Sequence, residues 1–158
     1  MPLIYLETFI NALPEVVFDL RRSVDLHKVS MTHHREEVID GPQTGLMNKG
    51  DTVTWKAKHL FRTRILKVKI TEVNPPVFFA DEMINGDFKK MRHEHEFKAV
   101  NAGTVMIDRF SFEAPFGILG KLVSFLFLKP YMTALLEQRN HTIREIAEST
   151  LIKQYLHS

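Results

Sequence analysis

The chain has 158 residues, of which 44% are hydrophobic and 25% charged, and it carries a formal net charge of +2 at pH 7. This length predicts one domain that buries about two-thirds of its unfolded-chain surface, and the small charge, spread along the chain, argues against a nucleic-acid partner. Because the sequence has no cysteine, disulfides, a thiol nucleophile and thiolate metal ligands are excluded.

The first part of the chain predicts a strand followed by short helices. Residues 3–10 alternate and favour β structure, and they lack the basic region of a signal peptide, so we expect a cytoplasmic protein. Apolar side chains at helical spacing in residues 14–26 predict a short helix, with a second turn of helix after Ser23. Residues 35–39 predict a short strand, and His33 and His34 before it are interpreted as a surface loop.

The middle of the chain predicts an antiparallel meander. A loop with three glycines at residues 40–50 precedes a series of alternating segments, at residues 51–60, 63–73, 77–84, 88–100 and 104–114. We expect one apolar face of these segments to turn toward the C-terminal part of the chain. That face consists of Val53, Trp55, Ala57, Leu66, Val68, Ile70, Met91, Phe97, Met106, Phe110 and Phe112.

Residues 116–149 form the longest helical pattern in the sequence. Apolar residues from Leu135 onward recur at helical spacing, and the positions between them, including Arg139 and Arg144, are assigned to a solvated face. Because an unbroken helix of this length would exceed the width of the domain and Pro130 has no backbone donor, we place a break at Lys129-Pro130. Pro130 then lies in the first turn of the second helix.

The apolar run at residues 118–128 has two interpretations. Core packing is favoured, and the alternative is a partly exposed gate, within residues 116–128, that contacts a membrane or a protein partner during ligand exchange. Because the run from Phe116 to Met132 contains Lys121 and Lys129 and is short, we do not expect it to span a bilayer.

An antiparallel sheet with one apolar face needs a cover, and the C-terminal helix is the one predicted element long enough to provide it. We therefore predict an α+β helix-grip fold. In this fold a seven-stranded curved antiparallel sheet surrounds a long C-terminal helix, and two short helices follow strand 1. One domain is expected over residues 1–150, with a tail at 151–158. Such an arrangement leaves a cavity unless large side chains fill it.

This order of elements resembles the START-like superfamily, also called SRPBCC, and is closest to its bacterial polyketide cyclase-like members. Four stretches carry the resemblance: GLMNKGDTVTWKAKHL (45–60), KITEVNPPVFFADEMINGDFKKMRHEHEF (69–97), TVMIDRFSFEAPFGILG (104–120) and LLEQRN (135–140). The resemblance implies a soluble protein that binds an apolar small molecule, such as a lipid, a polyketide-like or a quinone-like compound, in a pocket. It does not fix the function, because members of this superfamily differ in activity. We expect no cofactor.

A set of residues on the inward strand faces or near the expected mouth are candidates for contact with the ligand. They are Trp55, His59, Arg64, Glu82, Met91, His93, His95, Phe97, Asp108, Phe110 and Phe112. His93 and His95 share one strand face, which is a spacing found in metal sites, and His59, Asp108 or Glu82 could complete such a site. We expect no metal, because no third ligand is assured.

Three charged candidates each have two interpretations. Asp108 is either a general base or ligand anchor, or the carboxylate of a buried His–Asp or Arg–Asp pair that fixes the sheet, because a buried carboxylate needs a partner. Arg64 either holds a carboxylate or phosphate at the mouth or is an exposed strand-end residue. Of Asp81 and Glu82, one faces inward, and the sequence does not distinguish them.

Three functions fit these residues. The first is binding or carriage of a hydrophobic small molecule, in which His59, His93, His95 and Asp108 border one cavity and orient the ligand. The second is a cyclase, dehydratase or hydrolase that uses the histidines and Asp108 for acid–base chemistry. The third is an interaction module whose cavity is filled by Trp55, Phe97, Phe110 and Phe112. A His–Asp pair beside an open cavity favours the enzyme, and a filled cavity favours the module.

Overall fold

The computed structural model describes residues 3–30, 36–60, 62–149 and 152. Its strands form one antiparallel seven-stranded sheet in the order β1-β7-β6-β5-β4-β3-β2. The strands are β1 Leu3–Ile10, β2 Glu37–Asp40, β3 Thr52–His59, β4 Arg62–Asn74, β5 Phe78–Asn85, β6 Lys90–Val100 and β7 Gly103–Glu113. The strand predicted over 35–39 is thus displaced by a residue or two, and Arg35, His33 and His34 lie outside the described residues, as does the tail at 151–158 except Ile152.

Two short helices, α1 Pro14–Arg21 and α2 Val24–Ser30, connect β1 to β2. A continuous helical stretch follows the sheet and consists of α3 Gly117–Val123, a π-helical segment Ser124–Leu128 and α4 Lys129–Ala147. Helix α4 packs against β1, α1 and α2. The predicted α+β helix-grip fold, with its order of strand, helices, six strands and long helix, is confirmed.

The inward face of the sheet is also confirmed. Of the residues assigned to it, all but Leu66 are buried, and Leu66 is half-buried and packs against the same cluster. One core cluster includes Trp55, Phe112 and Leu136. A second surrounds Phe18, whose ring meets the ring of Phe97 edge-on at 5.3 Å between centroids.

The break predicted at Lys129-Pro130 is a change of helix type rather than an interruption. Pro130 lies in the first turn of α4, as predicted. The backbone N–H of Lys129 donates to the carbonyl of Ser124, the longer hydrogen bond of a π-helix. Because Pro130 cannot donate to the preceding turn, a π-helical segment before it lets the helix continue without a gap.

The interpretation of residues 118–128 as core is wrong. Phe116 is 83% and Ile118 is 86% exposed, and Leu119, Leu122, Val123, Phe125, Leu126 and Phe127 are exposed as well. Gly120, Ser124 and the half-buried Leu128 meet the rest of the protein here. A Cβ on Gly120 would lie 1.8 Å from the Pro115 carbonyl oxygen, and the Ser124 hydroxyl donates to the carbonyl of Gly120. We name residues 116–128 the apolar segment.

Candidate functional site

A cavity of about 680 Å³ lies between the sheet and helix α4. This volume is within the range of small-molecule pockets, about 300–1,000 Å³. Much of its wall is apolar, from the sheet and from α4: Trp55, Ala57, Val68, Ile70, Met91, Phe110, Met132, Leu135 and Leu136. The inner surface of the sheet and one side of α4 therefore suit a hydrophobic molecule.

The mouth of the cavity is marked by exposed lining residues. Phe116 and Leu119 of the apolar segment form part of this rim. Opposite charges also meet there, because the Arg64 guanidinium donates to a carboxylate oxygen of Asp87 at 2.7 Å and to the His59 carbonyl at 3.1 Å. A ring nitrogen of His59 lies 2.9 Å from the Tyr131 hydroxyl. Arg64 thus already has a carboxylate partner.

The buried, inner end of the cavity is polar. Its lining includes Arg21, His93 and His95, none more than 3% exposed, together with Asp81 and Arg139. Arg21 ends α1, Asp81 lies on β5, the histidines lie on β6 and Arg139 lies on α4, so four elements bring charged and titratable groups together. Polar groups of this kind fix the orientation of a ligand in a mainly apolar pocket.

Asp108 lies behind the cavity wall and connects the elements at this end of the protein through hydrogen bonds. Its carboxylate accepts hydrogen bonds from Asn140 at 2.7 Å and from Arg21 at 3.2 Å, and His93 Nε2 lies 2.7 Å from it. Burial alone would raise the pKa of Asp108, but the Arg21 guanidinium and the His93 hydrogen bond hold it well below its ordinary value. Asp108 does not line the cavity, so the expectation that it borders the ligand is corrected: its partners enclose it.

The two strand histidines each face a carboxylate. Burial, and then the adjacent His95, lower the pKa of His93 to about 3, so His93 is neutral at neutral pH and donates to Asp108. His95 Nε2 lies 3.1 Å from an Asp81 carboxylate oxygen. Burial alone would raise the pKa of Asp81, but the hydrogen bond with His95 lowers it, so Asp81 is ionised.

A third histidine–carboxylate pair lies on the cavity wall, between His27 of α2 and Glu36. His27 Nε2 contacts a Glu36 carboxylate oxygen, and its ring stacks on Trp55 with centroids 4.0 Å apart. The Arg139 guanidinium donates to His27 Nδ1 at 2.8 Å. Burial, and then Arg139, lower the pKa of His27, so the neutral ring donates to Glu36 and accepts from Arg139.

Within the described part of the chain, Asp81, His93 and His95 each place one potential metal ligand within 4.8 Å of the others. The third ligand that the sequence did not assure is therefore present, and it is Asp81 rather than His59, Asp108 or Glu82. The histidine nitrogens nearest these carboxylates are already hydrogen-bonded, and Arg21 adds positive charge nearby. That no metal binds stays a prediction.

The structure separates the predicted site residues into two groups. Those on the cavity wall are Trp55, His59, Arg64, Met91, His93, His95 and Phe110. Phe97 and Phe112 pack in the core instead, because their ends of β6 and β7 lie against other aromatic rings. Glu82 is corrected: it lies opposite Lys69 and pairs with Arg92 on the outer face, whereas Asp81 is the residue that faces inward.

Four residues at the inner end were not predicted from the sequence: Arg21, His27, Glu36 and Arg139. Asp81 was one of the two alternatives that the sequence left open. For Arg139 a signal existed, because it follows Leu135 by four residues and so shares the buried face of α4. Its assignment to the solvated face is wrong. His27 and Glu36 come from α2 and the loop before β2, and their meeting depends on tertiary structure.

Comparisons with known proteins agree with this architecture. The sequence model of a family described as polyketide cyclase / dehydrase and lipid transport matches residues 10–131. Among curated proteins, none matches the chain in sequence.

Solved structures share the fold at low sequence identity. TTHA0849 from Thermus thermophilus is 19% identical with a TM-score of 0.72, covering 94% of this chain and 100% of that one. Ginseng major latex-like protein 151 from Panax ginseng is 14% identical with a TM-score of 0.69, covering 94% and 98%. Ara h 8.0201 is 13% identical with a TM-score of 0.63, covering 90% and 97%. These likenesses concern the fold alone.

Proposed function

The chain belongs to the polyketide cyclase / dehydrase and lipid transport family, and on this premise we propose that it binds or carries one hydrophobic small molecule in the cytoplasm. The ligand class is a lipid, a polyketide-like or a quinone-like compound. The observation that carries the proposal is the cavity of about 680 Å³, whose wall is apolar and whose inner end is polar. Pockets of this construction bury the body of a ligand and orient it through a few polar groups.

The cavity also argues against the interaction module. Trp55 and Phe110 lie on the wall and leave the cavity open, while Phe97 and Phe112 pack in the core and do not line it. The aromatic residues that would have to fill the cavity therefore do not fill it.

Native mass spectrometry of the protein purified without detergent from cells that make it naturally tests this proposal. We expect a second species, heavier than the bare chain by the mass of one apolar organic molecule that solvent extraction recovers. A single species at the mass of the bare chain, in repeated preparations, would contradict the proposal.

Acid–base catalysis is the second candidate function, and the pair formed by His95 and Asp81 on the cavity wall favours it. A hydrogen-bonded imidazole and carboxylate beside an open cavity can move a proton to or from a bound substrate. The recovered molecule distinguishes the two functions. Conversion by the wild type that is lost in His95→Gln would identify an enzyme, and unchanged ligand with both would support the carrier.

We also propose that the apolar segment contacts a membrane surface while the ligand enters or leaves. The segment forms part of the mouth, and Lys121 within it and Lys129 directly after it supply positive charge for anionic head groups. The helical stretch Gly117–Ala147 is not interrupted at the predicted break, and by its length and composition it could cross a membrane. Its second half, however, is held against the sheet through residues such as Leu136 and Ile143, so contact at the surface is the arrangement that keeps the fold.

A further inference from the structure

Two arginines lie at the inner end of the cavity, and their partners differ. Arg21 is 3% exposed and its guanidinium forms an ion pair with Asp108 at 3.2 Å. Arg139 also lines the cavity, but it forms no ion pair with a carboxylate of residues 3–30, 36–60, 62–149 or 152. Its hydrogen bond in this part of the chain goes to a neutral acceptor, His27 Nδ1, at 2.8 Å.

The hydrogen-bonding capacity of both arginines is incomplete. The Nε–H groups of Arg21 and Arg139 are buried and have no acceptor in the described structure. A buried donor without an acceptor is unfavourable, and a buried cation without a counter-charge is more so. Burial, and then the charge of Arg21, lower the pKa of Arg139 to about 9, and the charges of Glu36, Asp108 and Asp81 offset this only in part.

The neighbouring carboxylates already have their own donors. Glu36 contacts His27, Asp81 is bonded to His95, and Asp108 is bonded to Arg21 and His93. None of the three forms an ion pair with Arg139 in the described structure. Glu36 contacts His27, and His27 in turn accepts a hydrogen bond from Arg139. These two contacts fix the orientation of the Arg139 guanidinium before a ligand binds.

From this arrangement we propose that Arg139 binds a carboxylate at the inner end of the ligand, which is therefore an amphiphile with an apolar body and one acidic head group. The inference rests on the proposed ligand-binding function and specifies its ligand class. Arginine suits this role because its fork of donors matches the two oxygens of a carboxylate. Glu36 and Asp81 also line this end of the cavity, and their carboxylates repel an anion. The acidic head group is therefore favoured only where it contacts the arginine.

Lauric acid and methyl laurate test the inference, since they share an apolar chain and differ in the head group. At neutral pH the wild type should bind lauric acid roughly ten- to a hundredfold more tightly than the ester, as a charged hydrogen bond to a buried partner implies. In Arg139→Met this preference should disappear. Arg144→Met, on the same helix but outside this cavity, should keep the preference.

Calorimetric titrations measure these affinities, and their outcomes separate the role of Arg139 from the ligand-binding function itself. Equal affinity of the wild type for acid and ester, or a preference that survives in Arg139→Met, overturns the inference and leaves the ligand-binding function standing. Binding of neither probe contradicts both. If Arg139→Met does not fold, Arg139→Gln takes its place, and the acid-to-ester ratio of the wild type still decides without any variant.

Discussion

His93 is a neutral imidazole inside the folded protein, because burial and the adjacent His95 lower its pKa from 6.5 to about 3. In the unfolded chain the ring takes up a proton near its ordinary pKa of about 6.5. Between these two values the unfolded state binds more protons than the folded state, so the free energy of unfolding falls as the pH falls. The stabilisation is complete above the unfolded pKa and is lost progressively below it.

We therefore expect acid to destabilise the wild type well above the pH at which carboxylates titrate. The free energy of unfolding, measured in urea between neutral pH and about pH 5, should therefore fall. Below the unfolded-state pKa, each histidine that stays neutral in the folded protein contributes a decrease of up to about 1.4 kcal/mol per pH unit. His93→Gln, which keeps a donor for Asp108, should reduce this slope. His141→Gln, on an exposed ring, should not. Identical slopes for the wild type and His93→Gln would show that His93 is not the group responsible.

For single residues, the sequence could not predict which side chains of neighbouring strands and distant elements lie next to each other. Alternation assigned His93 and His95 to the inner face, where the structure has them. It could not choose between Asp81 and Glu82, because the pairing of β5 with β4 and β6 decides which one faces inward. The partners of Asp108 include Arg21 and Asn140, which are distant in the chain and meet it only in the folded protein.

Among the elements, the apolar segment departs most from what its sequence suggested. A run of large apolar side chains usually predicts core, yet here they surround a helix that meets the protein through Gly120 and Ser124. The position of Pro130 was predictable from its missing donor. The π-helical segment before it was not, because that depends on how the whole helix lies against the sheet.

Vesicle binding tests the role of the apolar segment. We expect the wild type to sediment with vesicles of mixed phosphatidylcholine and phosphatidylglycerol, because the exposed apolar side chains enter the interface and the lysines meet anionic head groups. Phe125→Glu, on a side chain that is 70% exposed, should remove most of this binding without unfolding the protein. Leu13→Glu, at an apolar position before α1 that is 67% exposed and does not line the cavity, serves as the matched control and should bind like the wild type.

Two results would contradict the membrane proposal. The first is sedimentation that Phe125→Glu does not change. The second is a concentration-dependent dimer in gel filtration that Phe125→Glu dissociates, since a second copy of the chain would then be what covers the apolar segment. Failure of sedimentation alone would leave the cavity and its ligand unaffected.

At the scale of the whole molecule, the fold was predictable because one rule applies throughout the sheet. Strict alternation in segment after segment defines one apolar face, and a single long helix is available to cover it. The cavity followed from that geometry. Its polar inner end did not, because it gathers α1, α2, β5, β6 and α4, whose relative positions no local pattern encodes.

The proposed function requires that a hydrophobic molecule binds in the space between the sheet and α4. Ala57 lines this cavity on β3, and Thr63 on β4 is exposed, so Ala57→Phe places a ring inside the cavity while Thr63→Phe adds the same ring at the surface. The decisive measurement is a calorimetric titration of both variants and the wild type with methyl laurate, a neutral probe without a carboxylate. Ala57→Phe should bind at least about tenfold more weakly, about 1.4 kcal/mol, than the other two. Equal affinity in all three proteins would contradict binding in this cavity.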